Sequence, residues 1–161
     1  MAGDTVNGAV NMEAYINKLM AGLVQLGTFP NLSSTLNWIP CDIVAKNVIQ
    51  QSLQNIHQGN RLRAINLVNS SAMKWQELTT YLAQSSIFGD RKPKIVRFSE
   101  WREELEANRA HNALGPLMAY FSEGVPSDDP VECTNLAVAC PSMSRDLIEK
   151  YLQYMARHGY I

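Results

Sequence analysis

Apolar side chains at Met12, Tyr15, Ile16, Leu19, Met20, Leu23 and Val24 recur at three- and four-residue steps, the spacing of one helix face. Asn11 precedes them as a plausible N-cap, and Gly27 then Pro30 supply the stop, so a first helix is predicted there. A second helix is predicted from Asp42, placed after Pro40, with Ile43, Val44, Val48, Ile49, Leu53 and Ile56 as its stripe and Gly59 as its end. Residues 62–68 are almost continuously apolar between Gly59-Asn60 and Asn69-Ser70-Ser71, which suits a strand covered on both faces and wanting parallel neighbours. Trp75, Leu78, Tyr81 and Leu82 give a short helix behind the Ser70-Ser71 cap. Residues 94–98 read as a second short strand, after which Ser99 caps a helix carrying Trp101 and Leu105. Leu114, Leu117, Met118 and Phe121 mark another helix after Asn112. Leu147, Ile148, Tyr151, Leu152 and Met155 mark the last, between Ser144 and Gly159.

About six helices against two or three short strands make this an α/β chain that is rich in α and poor in sheet. Its 161 residues suit one domain with a real core. Pro126, Ser127, Asp128 and Asp129 give the clearest loop signal. The expected organisation is a body over 1–123, a loop over 124–141 and a C-terminal helix over 142–161. There is no internal repeat and no low-complexity segment.

Hydrophobic residues make up 46% and charged residues 18%, with a net charge of -1 and a pI near 6.3. That balance gives no electrostatic footprint for nucleic acid and no polybasic patch for a membrane surface. Met1-Ala2-Gly3-Asp4-Thr5 lacks the basic start and apolar run of a signal peptide, and no window is long enough to span a bilayer, so a cytoplasmic chain is expected. Cys41, Cys133 and Cys140 fit neither a CxxC motif nor a zinc set with the histidines, and read as reduced structural thiols. The glycosylation tripeptides at Asn31 and Asn69 would not meet the machinery without a secretory signal.

The run Asn37-Trp38-Ile39-Pro40-Cys41-Asp42 resembles an "NW-hydrophobic-P-x-D" element of the thioester reductase family, extended short-chain dehydrogenases that end many polyketide and peptide synthetases and release the product reductively. Other segments follow in the family's order and cover nearly the whole chain. Gly3-Asp4, Gly8 and the helix ending Gln25-Leu26-Gly27-Thr28-Phe29-Pro30 resemble the stretch after the sixth strand of the dinucleotide-binding sheet. Ile65-Asn66-Leu67-Val68-Asn69 resembles the last parallel strand, Trp75-Gln76-Glu77-Leu78 the helix after it, and Phe98-Ser99-Glu100-Trp101 a strand-to-helix corner in the lid-like lobe. Tyr151-Leu152-Gln153-Tyr154 with Gly159-Tyr160-Ile161 resembles the end of fungal members. The fold implied is the truncated C-terminal portion of an extended short-chain dehydrogenase, the substrate-binding lobe, without a complete Rossmann nucleotide fold.

The family binds NAD(P)H through a glycine-rich strand-turn-helix and reduces with a Ser/Thr, a Tyr and a Lys, the last two spaced YxxxK. No three of the nine glycines here fit GxGxxG or GxxGxxG, and no Tyr has a Lys four positions on; Tyr15 has Lys18 at three. Without a phosphate-cradling helix N-terminus a dinucleotide has no physical basis for binding, and without the Lys the Tyr lacks what lowers its pKa. The chain is therefore expected to use no cofactor and not to be a reductase by itself.

Among candidate chemical groups, Asp42 suits a general base lining a cleft, although N-cap duty, the favoured reading, explains the same residue without any catalysis. Asn37, Trp38, Trp101 and Tyr120 are the substrate-binding candidates; the two tryptophans suit either an apolar pocket floor, where the family places them, or an ordinary core. His57 and His158 sit at helix ends facing carbonyls, and His111 in a polar turn. Cys41 has nothing beside it to lower its pKa. No metal site is expected. The partner expected is a hydrophobic small-molecule or carrier-bound polyketide or peptidyl chain, with a homo-oligomer or a contact through the unpaired edge of the 62–68 strand. A cofactor-free cyclase or pericyclase, needing a shaped pocket and one or two polar donors, is an alternative, and a docking protein for a synthase is another.

Overall fold

A computed structural model of the chain describes residues 1–57, 67–121, 136–138, 140 and 143–161. The described elements run α1 (Tyr15–Leu26), β1 (Thr28–Pro30), β2 (Thr35–Leu36), α2 (Cys41–His57), β3 (Leu67–Asn69), β4 (Met73–Lys74), α3 (Trp75–Ala83), β5 (Lys94–Val96), α4 (Phe98–Ala107), β6 (Leu136–Val138) and α5 (Arg145–Arg157). Turns of 3₁₀ helix lie at Ser86–Phe88, Arg109–His111 and Gly115–Phe121. The result is the α-rich α/β arrangement expected.

The strands form three separate two-stranded pairs among the described residues. β1 lies parallel to β5 with Phe29 opposite Ile95, and β3 lies parallel to β6 with Val68 opposite Ala137. β2 and β4 are antiparallel, Leu36 opposite Met73. A parallel partner for the strand ending at Asn69 was expected, and β6 supplies it from inside the stretch read as loop 124–141. Most of that loop, with Asp128 and Asp129, and residues 62–66 of the predicted strand lie outside the described residues. β1 was read as a helix stop. Its three residues are all buried, and Gly27 just before them, at φ 70°, turns the chain from α1 into the strand.

Helices α1, α3, α4 and α5 bury the faces their periodicity predicted. Leu19, Met20 and Leu23 of α1, Leu78 and Leu82 of α3, Trp101 and Leu105 of α4, and Ile148, Tyr151, Leu152 and Met155 of α5 share one core. α1 starts later than the pattern implies, because Asn11 closes the preceding turn, its Oδ1 accepting from the Glu13 N–H at 3.0 Å. Ser144 caps α5 as expected, accepting from the Leu147 N–H at 3.3 Å. Ser70-Ser71 and Ser99 do not cap their helices. α3 and α4 start at Lys74 and Arg97, whose N–H groups donate to Glu77 at 2.7 Å and to Glu100 at 3.2 Å. The predicted helix at Leu114 is a 3₁₀ turn over Gly115–Phe121.

α2 departs from expectation in burial, not in extent. None of its residues from 41 to 54 is fully buried, and Val48, Ile49 and Leu53 are 52%, 59% and 52% exposed. Covering three such side chains would be worth about 1.5–3 kcal/mol each. The predicted stripe forms, but it faces away from the described core.

Gly22 shows how closely α1 approaches the turn after α4. A Cβ there would lie 2.5 Å from Leu114 Cγ and 2.7 Å from Asn112 Oδ1, and Asn112 is fixed by donating to the Gly22 carbonyl at 3.0 Å. Gly22→Ala would gain about 1 kcal/mol of helix propensity, yet overpacking costs about 1–3 kcal/mol. The expected outcome is net destabilisation, read as a lower urea midpoint with an unchanged slope.

Candidate functional site

The turn from β2 into α2 carries three of the residues singled out by sequence, and its backbone is held at nearly every position. Leu36 is fixed by pairing with Met73. The Trp38 carbonyl accepts from Asn69 Nδ2 at 2.5 Å, the Ile39 carbonyl from the Ala2 N–H at 2.8 Å, and the Pro40 carbonyl from the Val44 N–H at 3.1 Å. Ala2 also bridges to Pro40 in parallel fashion. The Cys41 N–H donates to the Gly3 carbonyl at 3.3 Å, and Tyr151 Oη, reaching in from α5, donates to the same oxygen at 2.8 Å.

Asp42 lies in the first turn of α2, one residue inside its start. Its carboxylate accepts from the Thr5 N–H at 3.1 Å and from Thr5 Oγ1 at 2.5 Å, one bond to each oxygen. The residue therefore fastens the segment 2–5 rather than capping α2. Asp4, next along that segment, accepts from the N–H groups of Val6, Asn7 and Ala9 at 2.7–2.9 Å. Burial raises its pKa, but those N–H groups and the Lys150 charge outweigh it and hold the carboxyl below its ordinary value. Burial, then Asp42 and other nearby acidic groups, pushes the Tyr151 phenol far up, so it stays a neutral donor. Burial and then Asp42 raise the Cys140 thiol. The polar groups of this cluster are bonded to one another.

The remaining site candidates divide. Trp38 is buried in the core and Asn37 beside it is half-buried. Trp101 is fully buried, with Phe121 edge-on at 5.3 Å and Phe98 at 5.7 Å. Its indole N–H has no acceptor among the described residues. Tyr120, adjacent to Phe121, is 65% exposed. Beyond the C-terminal end of α4 is an open depression of about 600 Å³ lined by Glu106, Ala107, Arg109, Ala110, Asn112, Gly115 and Pro116. Thus Asn37, Trp38 and Asp42 share one turn, and Trp101 and Tyr120 belong with the lobe built from α4 and Gly115–Phe121. Asn69, Thr5 and Tyr151 are the residues sequence reasoning missed. Asn69 alone left a signal, as a polar residue ending an apolar strand.

No group of three or more His, Cys, Asp or Glu side chains among the described residues is placed to hold a metal ion. Nor is any described helix long and apolar enough to cross a membrane.

Comparison with known proteins gives relatives at low identity over most of the chain. A linear gramicidin synthase protein of Brevibacillus parabrevis is 26% identical over 175 residues, covering 100% of this chain and 3% of that protein. L-2-aminoadipate reductase of Schizosaccharomyces pombe is 28% identical over 130 residues, 78% of this chain and 9% of that protein. A non-reducing polyketide synthase of Stachybotrys chartarum is 32% identical over 127 residues, 76% of this chain and 5% of that protein. The chain thus spans only a small part of the length of these relatives. Among solved structures, the terminal R domain from the myxalamid PKS-NRPS biosynthetic pathway superposes with a TM-score of 0.75 at 21% identity, covering 99% of this chain and 43% of that one. A thiolation-reductase di-domain from an archaeal non-ribosomal peptide synthetase gives 0.61 at 17%, covering 99% and 34%. No family model matches the chain.

Two perturbations test the turn. Asn69→Ala orphans the buried Trp38 carbonyl and should cost about 1–3 kcal/mol, whereas Tyr151→Phe leaves the Gly3 carbonyl its bond from Cys41 and should cost about 1 kcal/mol; urea unfolding of both variants ranks them. For Asp4, a lowered folded pKa means stability present above the ordinary value of 3.8 and lost as pH falls through the folded value. The stability gap between wild type and Asp4→Asn should therefore close on acidification from about pH 5 to about pH 2. A gap that widens instead would refute the assignment.

Proposed function

We propose that this chain, a relative of the C-terminal part of thioester reductase domains, holds a hydrophobic polyketide or peptidyl chain, free or carrier-bound, and does not itself transfer hydride. The observation that carries the reading is the extent of the likeness set against what the sequence lacks. The fold of a terminal R domain is matched along 99% of this chain, while GxGxxG and YxxxK are both missing from it.

The strand-to-helix corners agree with that. At β4–α3 and β5–α4, where a dinucleotide phosphate would need free N–H groups and close backbone approach, no glycine is present and a carboxylate, Glu77 or Glu100, takes the Lys74 or Arg97 N–H. Phosphate would there find the N–H already taken by the carboxylate. These residues do not fit the cofactor.

For the acyl chain, the lobe of α4 and Gly115–Phe121 is the better surface. Tyr120 offers an exposed ring, and the nearby depression presents Ala107, Ala110 and Pro116. Trp101 lies beneath this lobe, fully buried against Phe98 and Phe121, and supports the surface without reaching it. The cyclase alternative needs one or two polar groups free to meet a substrate, and at the β2–α2 turn the Asp42 carboxylate already accepts from Thr5 and the Tyr151 hydroxyl already donates to Gly3.

The test is titration with an octanoyl-pantetheine probe and, separately, with NADPH, read by calorimetry. Saturable binding of the acyl probe and none of NADPH is the expected result. Tyr120→Ala should weaken the acyl probe about tenfold, or about 1.4 kcal/mol, with unfolding unchanged. Saturable NADPH binding would overturn the claim about the cofactor, and no acyl binding the claim about the substrate.

A further inference from the structure

The chain's net charge of -1 conceals a local excess. Arg91, Lys92, Lys94 and Arg97 fall in a stretch, 91–97, that holds no acidic residue, and β5 runs through it. Arg97 is neutralised by Glu100, which accepts from its Nη2 at 2.5 Å. Among the described residues the other three meet no carboxylate. Arg91 lies over the Phe88 ring at 5.6 Å, and Lys92 and Lys94 stand in solvent. Ile95, next to Lys94, is 66% exposed. The backbone is directional as well. The Lys94 N–H donates to the Gly27 carbonyl at 3.0 Å and the Val96 carbonyl accepts from the Asn31 N–H at 2.8 Å, so these two residues turn their polar groups to β1. Alternate residues of a strand turn theirs to opposite edges, which leaves the Ile95 N–H and carbonyl facing outward, where no described strand pairs with them.

We propose that the outer edge of β5 takes up an extended acidic segment of a partner protein as an added strand. Main-chain bonds to Ile95 set the register, and carboxylates on the added strand meet Arg91, Lys92 and Lys94. A second copy of this chain is a poor occupant of the same edge. Pairing β5 with itself lays two basic runs side by side, and like charges across a strand pair repel. Lysine and proline on an edge guard against such self-association, and Pro93 and Lys94 are placed to do so. For an acidic strand the same lysine is an attraction. The edge is short, because at its far end the Arg97 N–H donates to Glu100 at 3.2 Å and the Arg97 carbonyl accepts from the Trp101 N–H at 3.0 Å. Charge therefore supplies much of the affinity, and salt screens it.

The full chain is titrated into a fluorescein-labelled peptide of alternating glutamate and valine, and binding is read by anisotropy at low salt. Saturable binding is expected, weakened at least tenfold by Lys92→Glu combined with Lys94→Glu and by raising the salt to about 0.5 M. The same peptide N-methylated on alternate amides keeps its charge but loses donors for the edge, and should bind at least tenfold more weakly. Ile95→Pro removes the outward N–H while sparing the bonds of Lys94 and Val96 to β1, and should weaken the unmodified peptide to the same degree. Urea unfolding checks each variant, and the N-methylated peptide, which needs none, decides where a variant fails to fold. No saturable binding of the acidic peptide overturns the proposal, as does binding that charge reversal leaves unchanged. Weakening by charge reversal without weakening by N-methylation reduces the site to a plain basic patch and overturns strand addition. A dimer of the chain, seen by light scattering and dissociated by Ile95→Pro, overturns it as well by making a second copy the occupant.

Discussion

The carbonyl oxygen of Gly3 is where the first and last described segments are joined, and most of the fold depends on that junction. It accepts from the Cys41 N–H at the start of α2 and from Tyr151 Oη in the last helix. No larger residue could stand there, since a Cβ would lie 2.6 Å from the Ala9 carbonyl and 2.7 Å from both Tyr151 Cε1 and Val10 Cγ1. Around it, Ala2 holds Ile39, Thr5 holds Asp42, and Asn69 holds Trp38. With only short strands among the described residues, the chain thereby obtains long-range order from single backbone groups, where a broad sheet would have spread the same task over a ladder.

Much of this architecture could be read from the residues, and the reason is local. The helices α1, α3, α4 and α5 have an apolar stripe that the core then buries, and their ends at Gly27 and Ser144 follow from backbone conformation and side-chain chemistry within a few residues. The β1 strand was missed because three residues, one of them Pro30, carry no periodicity; their state is decided by β5, some sixty residues on. The caps at Lys74 and Arg97 were missed for a different reason. The nearby serines obey the usual capping preference, but each helix starts elsewhere, where Glu77 or Glu100 reaches back to the N–H of the residue before the first turn.

The candidate site was less accessible to sequence reasoning. Asp42 was read as a general base or a helix cap, and its carboxylate instead meets Thr5, 37 positions away. Trp38 and Trp101 proved to be core residues in this conformation, and only Tyr120 stands open to solvent. The α2 stripe illustrates the limit most clearly: periodicity tells which residues share a face, not whether anything lies against it.

The bond from Tyr151 to Gly3 spans 148 positions, and this has a consequence for how the chain is made. During synthesis the segment around Gly3 emerges well before α5, and it meets its partner only when that helix has left the ribosome. α5 also supplies Ile148, Leu152 and Met155 to the core, so the core stays open on one side until then. Contacts of such separation form slowly, since the entropy of closing the loop precedes any return from the contact. The growing chain thus passes through a long interval with both its core edge and the α2 face uncovered, a state open to association with neighbouring chains.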